Sequence, residues 1–155
     1  LSILLKNKKS SKKFSTKAKT AVLKPRCRLS FGLKNKKHFS SSMDSSDGLS
    51  TTLNEMSSQS KKKFVITSMP SENDILDFAT SNKLNPNDLI LNGGEEYEIV
   101  ATTSKSNLSK MKKDAKKHRI KLYEIGYVTK GKGVFYKKNG KFVRIKDGGW
   151  KHLKH

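Results

Sequence analysis

Acidic residues are absent from the first quarter of this chain: no Asp or Glu precedes Asp44, whereas thirteen Lys or Arg do, from Lys6 to Lys37. Over all 155 residues, 34 Lys and Arg face 13 Asp and Glu, a formal charge of +21. Such a field draws polyanions, whether nucleic acid, an anionic membrane or nucleotide phosphates. Nearly all the cations are Lys, which also fits a plain compositional bias. Cysteine is almost missing. Cys27 stands alone, which excludes an internal disulfide and makes a reducing cytoplasm the expected setting. Its neighbours Arg26 and Arg28 would favour a thiolate, but no motif around it supports a nucleophile. No apolar run reaches the roughly 20 residues that span a bilayer. The chain does not begin with Met, and Leu1-Ser2-Ile3-Leu4-Leu5 reads like the end of an amphipathic helix, so a piece of a longer polypeptide, or a processed one, is expected.

What is present alternates between helical and strand patterns. Residues 1–13 read as a basic helix end and loop, and 14–155 as one domain. Phe14, Ala18, Ala21 and Val22 share a helical face over 14–24, behind a cap at Ser15 or Thr16, and Pro25 ends that helix. A strand over 38–43 runs into Asp44, and Leu49, Leu53 and Met56 recur at helical spacing after Gly48. Phe64–Thr67 reads as a strand. Ser71 to Asp74 suggests a capping box for a helix with Ile75, Phe78 and Ala79 facing in. Residues 85–88 read as a loop, 95–102 as a strand, and 105–119 as a basic helix with Leu108, Met111 and Ala115 inward. Strands follow over 121–128 and 133–137, then an Asn139-Gly140 hairpin returning through Phe142 to Ile145. The fold class expected is α+β, a mixed β-sheet layered with helices.

Three stretches carry chemistry. Asp44-Ser45-Ser46-Asp47-Gly48 sets two carboxylates three positions apart at a strand-to-helix turn, a donor set that suits Mg²⁺ with substrate phosphates; the same residues would also serve as an ordinary helix start. Gly93-Gly94-Glu95-Glu96-Tyr97-Glu98 allows a close backbone approach and offers carboxylates to a cationic group, or else enters an edge strand with Glu96 and Glu98 solvated. Gly148-Gly149-Trp150-Lys151-His152 offers an aromatic face to a heteroaromatic or cationic ring, or closes the core. Gly126 to Gly133 imitates a phosphate loop, but it ends on Gly instead of the Mg²⁺-binding hydroxyl and leads into Val134-Phe135-Tyr136, a strand pattern, where a phosphate loop opens a helix. His38, His118, His152 and His155 show no metal-ligand spacing.

Taken in order, these stretches resemble the carboxyl-terminal domain of the thiamine-monophosphate kinase family, within the aminoimidazole-ribonucleotide synthetase superfamily. The resemblance runs over about 15–153. It rests on Pro25-Arg26-Cys27-Arg28, Asp44 to Leu49, Gly93 to Glu98, Ile125 to Val128, Gly131 to Val134 and Gly149 to His152. Ser45 stands where many members have Val, and Glu96 where Asp is commoner. The resemblance implies ATP-dependent phosphorylation of thiamine monophosphate to thiamine diphosphate by direct in-line transfer. It implies Mg²⁺ held by Asp44 and Asp47, nucleotide phosphates at Ser46, and the thiamine moiety at Glu95 and Trp150. It further implies an amino-terminal domain with additional Asp ligands, and a homodimer with the active site between domains and chains; the carboxyl-terminal half alone is expected to fold without turning over ATP. Two other classes are a superfamily enzyme with another substrate and a non-catalytic nucleic-acid-binding module. The latter calls for aromatics interleaved with the Lys runs, and the runs at 6–13, 34–37 and 110–117 have almost none.

Overall fold

Side-chain caps and glycines set several element boundaries in the computed structural model, which describes residues 8–95 and 97–148. Helix α1 (Lys12–Leu23) starts earlier than the apolar spacing suggests, because Ser11 accepts a hydrogen bond from the Phe14 amide; Thr16 instead donates to the Lys12 carbonyl. Short helix α2 (Leu29–Asn35) and a 3₁₀ turn lead to β1 (Phe39–Ser45), which continues through Asp44. Helix α3 (Leu49–Ser60) opens at Gly48 and closes on Lys61 in the left-handed region. Strand β2 (Lys62–Ile66) follows.

Two expectations in the middle of the chain need correction. The capping box before α4 (Asn73–Ser81) does not form: Glu72 occupies the cap position with no side-chain cap bond, its carboxylate taken by Lys17 and Lys121. Residues 85–88 are not a loop but the start of α5 (Pro86–Asn92), where Asn85 accepts from the Asn87 amide and Pro86 fills the first turn, where its missing N–H costs nothing. Strand β3 (Glu98–Thr103) and helix α6 (Lys105–Lys117) come next. Residues 121–125 lie outside any ladder, and β4 begins at Gly126 (Gly126–Lys130). Strands β5 (Gly133–Lys138) and β6 (Lys141–Arg144) complete the hairpin, whose Asn139 and Gly140 both take positive φ, 48° and 76°, as the tight turn needs. Gly126 to Gly133 is strand, turn and strand, not a phosphate loop.

The strands form two ladders: an antiparallel β1–β3 pair and a mixed four-stranded sheet ordered β4-β2-β5-β6, with β2 and β5 parallel. The α+β class thus holds. Helix α3 lies between the two ladders. Leu49, Leu53 and Met56 pack on Phe64, Ile66, Val134 and Ile145 of the four-stranded sheet and its continuation, with Met43 and Val100 of the other ladder joining them. A second cluster, Phe31, Met111 and Ala115 with Phe39 and Ile99, covers the opposite face of β1–β3 with α2 and α6. Polar groups buried on α3 are all engaged: Ser50 donates to Asn92, Thr52 to the Asp44 carbonyl, and Ser57 to the Lys62 carbonyl while accepting from the Gly133 amide. Helix α1 docks through Phe14 on Phe78, ring centroids 5.1 Å apart, and through Lys17 to Glu72 and Asp74.

Candidate functional site

The amino end of α3 gathers the three motif stretches from far apart in sequence. Ser45 is buried at the end of β1, opposite Glu98 in the ladder, so alternation turns Asp44 outward to solvent. Beyond the last ladder pair the Glu95 amide donates to the Ser46 carbonyl at 2.7 Å and the Tyr97 amide to the Ser45 carbonyl at 3.2 Å. Those bonds lace Asp44–Gly48 to Gly93–Glu98. The approach is close enough that a Cβ on Gly94 would lie 2.9 Å from the Ser46 carbonyl oxygen. A Cβ on Gly48, whose φ is +101°, would meet the carbonyl oxygens of Leu91 and Gly93 at 3.1 Å.

The start of the third stretch arrives at the same place. The Gly148 amide donates to Ser50, which donates to the Asn92 side chain, and Thr51 donates to Asp147. Gly148 is pressed so near Asn92 that a Cβ there would come within 2.7 Å of its amide oxygen. Asn92, in the last turn of α5, is a hub that sequence reading misses, since a lone Asn before a Gly pair looks like turn chemistry. Trp150 and Glu96 lie outside the described residues.

Glu95 and Tyr97 both take positive φ, 66° and 50°, conformations rare for side-chain-bearing residues and common where a segment is bent to serve a site. The Tyr97 hydroxyl donates to Glu95 Oε2 at 3.0 Å. That bond raises the Tyr97 pKa above its ordinary value, and the charges of Glu95, Asp44 and Asp47 push the same way, so all three carboxylates act on one hydroxyl. Behind them Arg28 grips Glu98 with two hydrogen bonds, Nε to Oε2 at 2.9 Å and a terminal nitrogen to Oε1 at 2.6 Å. Glu98 is therefore an ion-paired residue with 45% of its side chain still exposed, and the guanidinium pKa is raised by that partner. Arg28 thus braces the glutamate segment, a role that spacing in the sequence gives no way to find.

Asp44 and Asp47 offer hard, accessible oxygens of the kind Mg²⁺ prefers, but an octahedral ion takes six. Among the described residues, no group of three His, Cys, Asp or Glu side chains is placed to hold a metal. The two carboxylates are of the right chemistry for such an ion but do not by themselves make up its shell. No helix of the described residues is long and apolar enough to cross a membrane.

Residues 4–138 match the model of the family described as AIR synthase related protein, C-terminal domain. The thiamine-monophosphate kinase of Nitrosopumilus maritimus is 53% identical over 99% of this chain, which covers 49% of that protein. The thiamine-monophosphate kinase of Aquifex aeolicus is 31% identical over 99% of this chain and 47% of its own length. Among solved structures, AaThiL complexed with AMPPCP and TMP superposes with a TM-score of 0.77 at 31% identity, covering 97% of this chain and 46% of that one. The chain thus spans about half the length of the curated relatives it matches.

Proposed function

Because the chain belongs to the family of AIR synthase related proteins, C-terminal domain, we propose that it supplies one half of a kinase that phosphorylates thiamine monophosphate to thiamine diphosphate at the expense of ATP. The observation that supports this reading is the lacing of the Asp44–Gly48 turn to the Gly93–Glu98 segment, which runs the two carboxylate-bearing stretches side by side. The relatives' names and the AMPPCP and TMP of the AaThiL complex supply the substrate classes.

Phosphoryl transfer asks a protein mainly for positioning and charge neutralisation. Asp44 and Asp47 would hold Mg²⁺, which would supply charge neutralisation for the phosphates. Ser46 lies between them and would contact the nucleotide phosphates. Glu95, with one oxygen already oriented by Tyr97, keeps a carboxylate for the cationic thiamine moiety; Trp150 would stack on that moiety. The remaining groups would come from the half of the relatives' length that this chain does not match, in a homodimer working in the cytoplasm.

The test is a fusion of this chain to the first half of the Nitrosopumilus maritimus relative, assayed for thiamine diphosphate formation from ATP and thiamine monophosphate. Asp47→Asn is expected to abolish turnover with the unfolding transition unchanged. Glu95→Ala is expected to weaken thiamine monophosphate binding. A folded fusion that binds neither substrate overturns the kinase reading, and an Asp47→Asn variant as fast as its parent overturns the metal role.

A further inference from the structure

The face of the four-stranded sheet turned away from α3 carries a pattern that the site has no use for. Alternation along β2 and β5 sends Phe64, Ile66, Val134 and Tyr136 toward α3, and so sends their neighbours outward. In register across the sheet stand Tyr127, Val65, Phe135 and Arg144, with Lys137 paired to Phe142 in the next outward row. Val65 is buried in that face at 1% exposure, whereas Tyr127 and Phe142 are 49% and 48% exposed. The Lys63 ammonium hangs over two rings at once, 4.6 Å from the centre of Phe135 and 4.4 Å from that of Phe142, and Lys137 stands 5.8 Å from Phe142. Aromatics interleaved with cations are missing from the linear Lys runs; folding assembles them here from four strands.

We propose that this face binds single-stranded nucleic acid, bases stacking on Tyr127, Phe135 and Phe142 while Lys63, Lys137 and Arg144 take the phosphates. Four-stranded sheets that read single strands use outward aromatics to stack about two or three bases, and every base has a face to stack, so such a platform is tolerant of sequence. The parked Lys63 ammonium is compatible with this role. A cation–π contact at a partly exposed lysine is worth no more than a base stack, and an arriving base would exchange with the ammonium, which then meets its phosphate. A chain of charge +21 supplies the long-range attraction. The partner's chemistry follows from the combination, since an anionic surface without bases would need the cations but not the exposed rings.

The experiment is fluorescence anisotropy of the full chain with a labelled 12-nucleotide oligouridylate, titrated at several salt concentrations. Expected is saturable binding whose log–log salt slope is about −2, three phosphates at about −0.7 each. Tyr127→Ala and Phe142→Ala should each weaken binding about fivefold or more with the slope unchanged, and Lys137→Gln should flatten the slope by about 0.7. Circular-dichroism melts confirm that each variant is folded. Equal binding by the parent and both aromatic variants, or full competition by inorganic polyphosphate at matched charge, would reduce the interaction to bulk polyelectrolyte attraction and overturn the proposal. So would sedimentation showing a self-associated chain that Phe142→Ala dissociates, or loss of binding in the fusion with the relative's first half, since either result puts protein on this face. These outcomes are independent of kinase turnover.

Discussion

Replacing Gly94 with alanine places a methyl group 2.9 Å from the Ser46 carbonyl oxygen, which is a backbone atom and cannot swing aside. Relaxing that approach to an ordinary carbon–oxygen distance of about 3.3–3.6 Å requires the two segments to part by about half an ångström. The Glu95 amide already reaches that same oxygen at 2.7 Å, and the Tyr97 amide reaches Ser45 at 3.2 Å. Parting by half an ångström stretches the second bond beyond the useful range. Overpacking of this kind costs about 1–3 kcal/mol, and a weakened hydrogen bond about 1 kcal/mol more. A total of about 2–4 kcal/mol corresponds to a Tm lower by roughly 4–16 °C for a chain of this size. Gly32→Ala is the control. It lies inside α2, where alanine favours the helix, and its Cβ meets only the tip of the Ile99 side chain, at 3.2 Å. Thermal melts by circular dichroism should therefore show Gly94→Ala well below the parent and Gly32→Ala at or above it. In the fusion protein Gly94→Ala should also raise KM for thiamine monophosphate, since Glu95 moves with the segment. An unchanged Tm for Gly94→Ala would mean that the two motif segments are not held together by this approach.

Glu72 gives a pH dependence with a definite sign. Hydrogen bonds from Lys121 and then Lys17 lower its pKa from the ordinary range to about 2. A depressed carboxylate adds stability that is whole above its unfolded pKa and is lost as pH falls through the folded one. The site is one-third exposed, so after screening about 1 kcal/mol is at stake in all; pH 3 still lies above the folded pKa, so Glu72→Gln should remove about 1–3 °C of the Tm difference between about pH 6 and pH 3, and an unaltered pH profile would refute the clasp. Arg28→Ala leaves Glu98 without its partner, and Arg28→Lys keeps the charge but loses the two-pronged grip. Both are expected to raise KM for thiamine monophosphate more than they lower kcat in the fusion, Lys less than Ala; equal loss in both parameters with a collapsed Tm would mark Arg28 as merely structural.

Much of this arrangement is legible in the sequence, for local reasons. Leu49, Leu53 and Met56 announced α3 because a buried helix needs that spacing, and Asn139-Gly140 announced the hairpin because few other pairs tolerate two positive φ values. The errors lie where one residue serves two purposes. Ser71 to Asp74 looked like a cap, but Glu72 had a stronger claim from two lysines 55 and 49 residues away. Asn85-Pro86-Asn87-Asp88 carries turn residues that are also helix-starting residues, and only the apolar Leu89, Ile90 and Leu91 behind them decide between the two. The carboxylates of the candidate site were legible as types. What was not legible was their bracing by Arg28, Tyr97 and Asn92, because each of those bonds depends on which strand edge, bent segment or helix end folding brings alongside.

The ties at the head of α3 also span very different lengths of chain. Ser50 bonds to Gly148 across 98 positions and Thr51 to Asp147 across 96, whereas Thr52 reaches back only eight, to Asp44. During synthesis the first acidic turn and its helix can form while most of the chain is still unmade. The glutamate segment can join some fifty residues later, and the last clasp closes only when the far end has emerged. Contacts so distant in sequence form slowly, since a large loop must be closed before it is rewarded. This edge can therefore be completed from the amino side outward, and a nascent chain stopped short of residue 147 would carry Asp44 and Asp47 ahead of a helix whose closing partners do not yet exist.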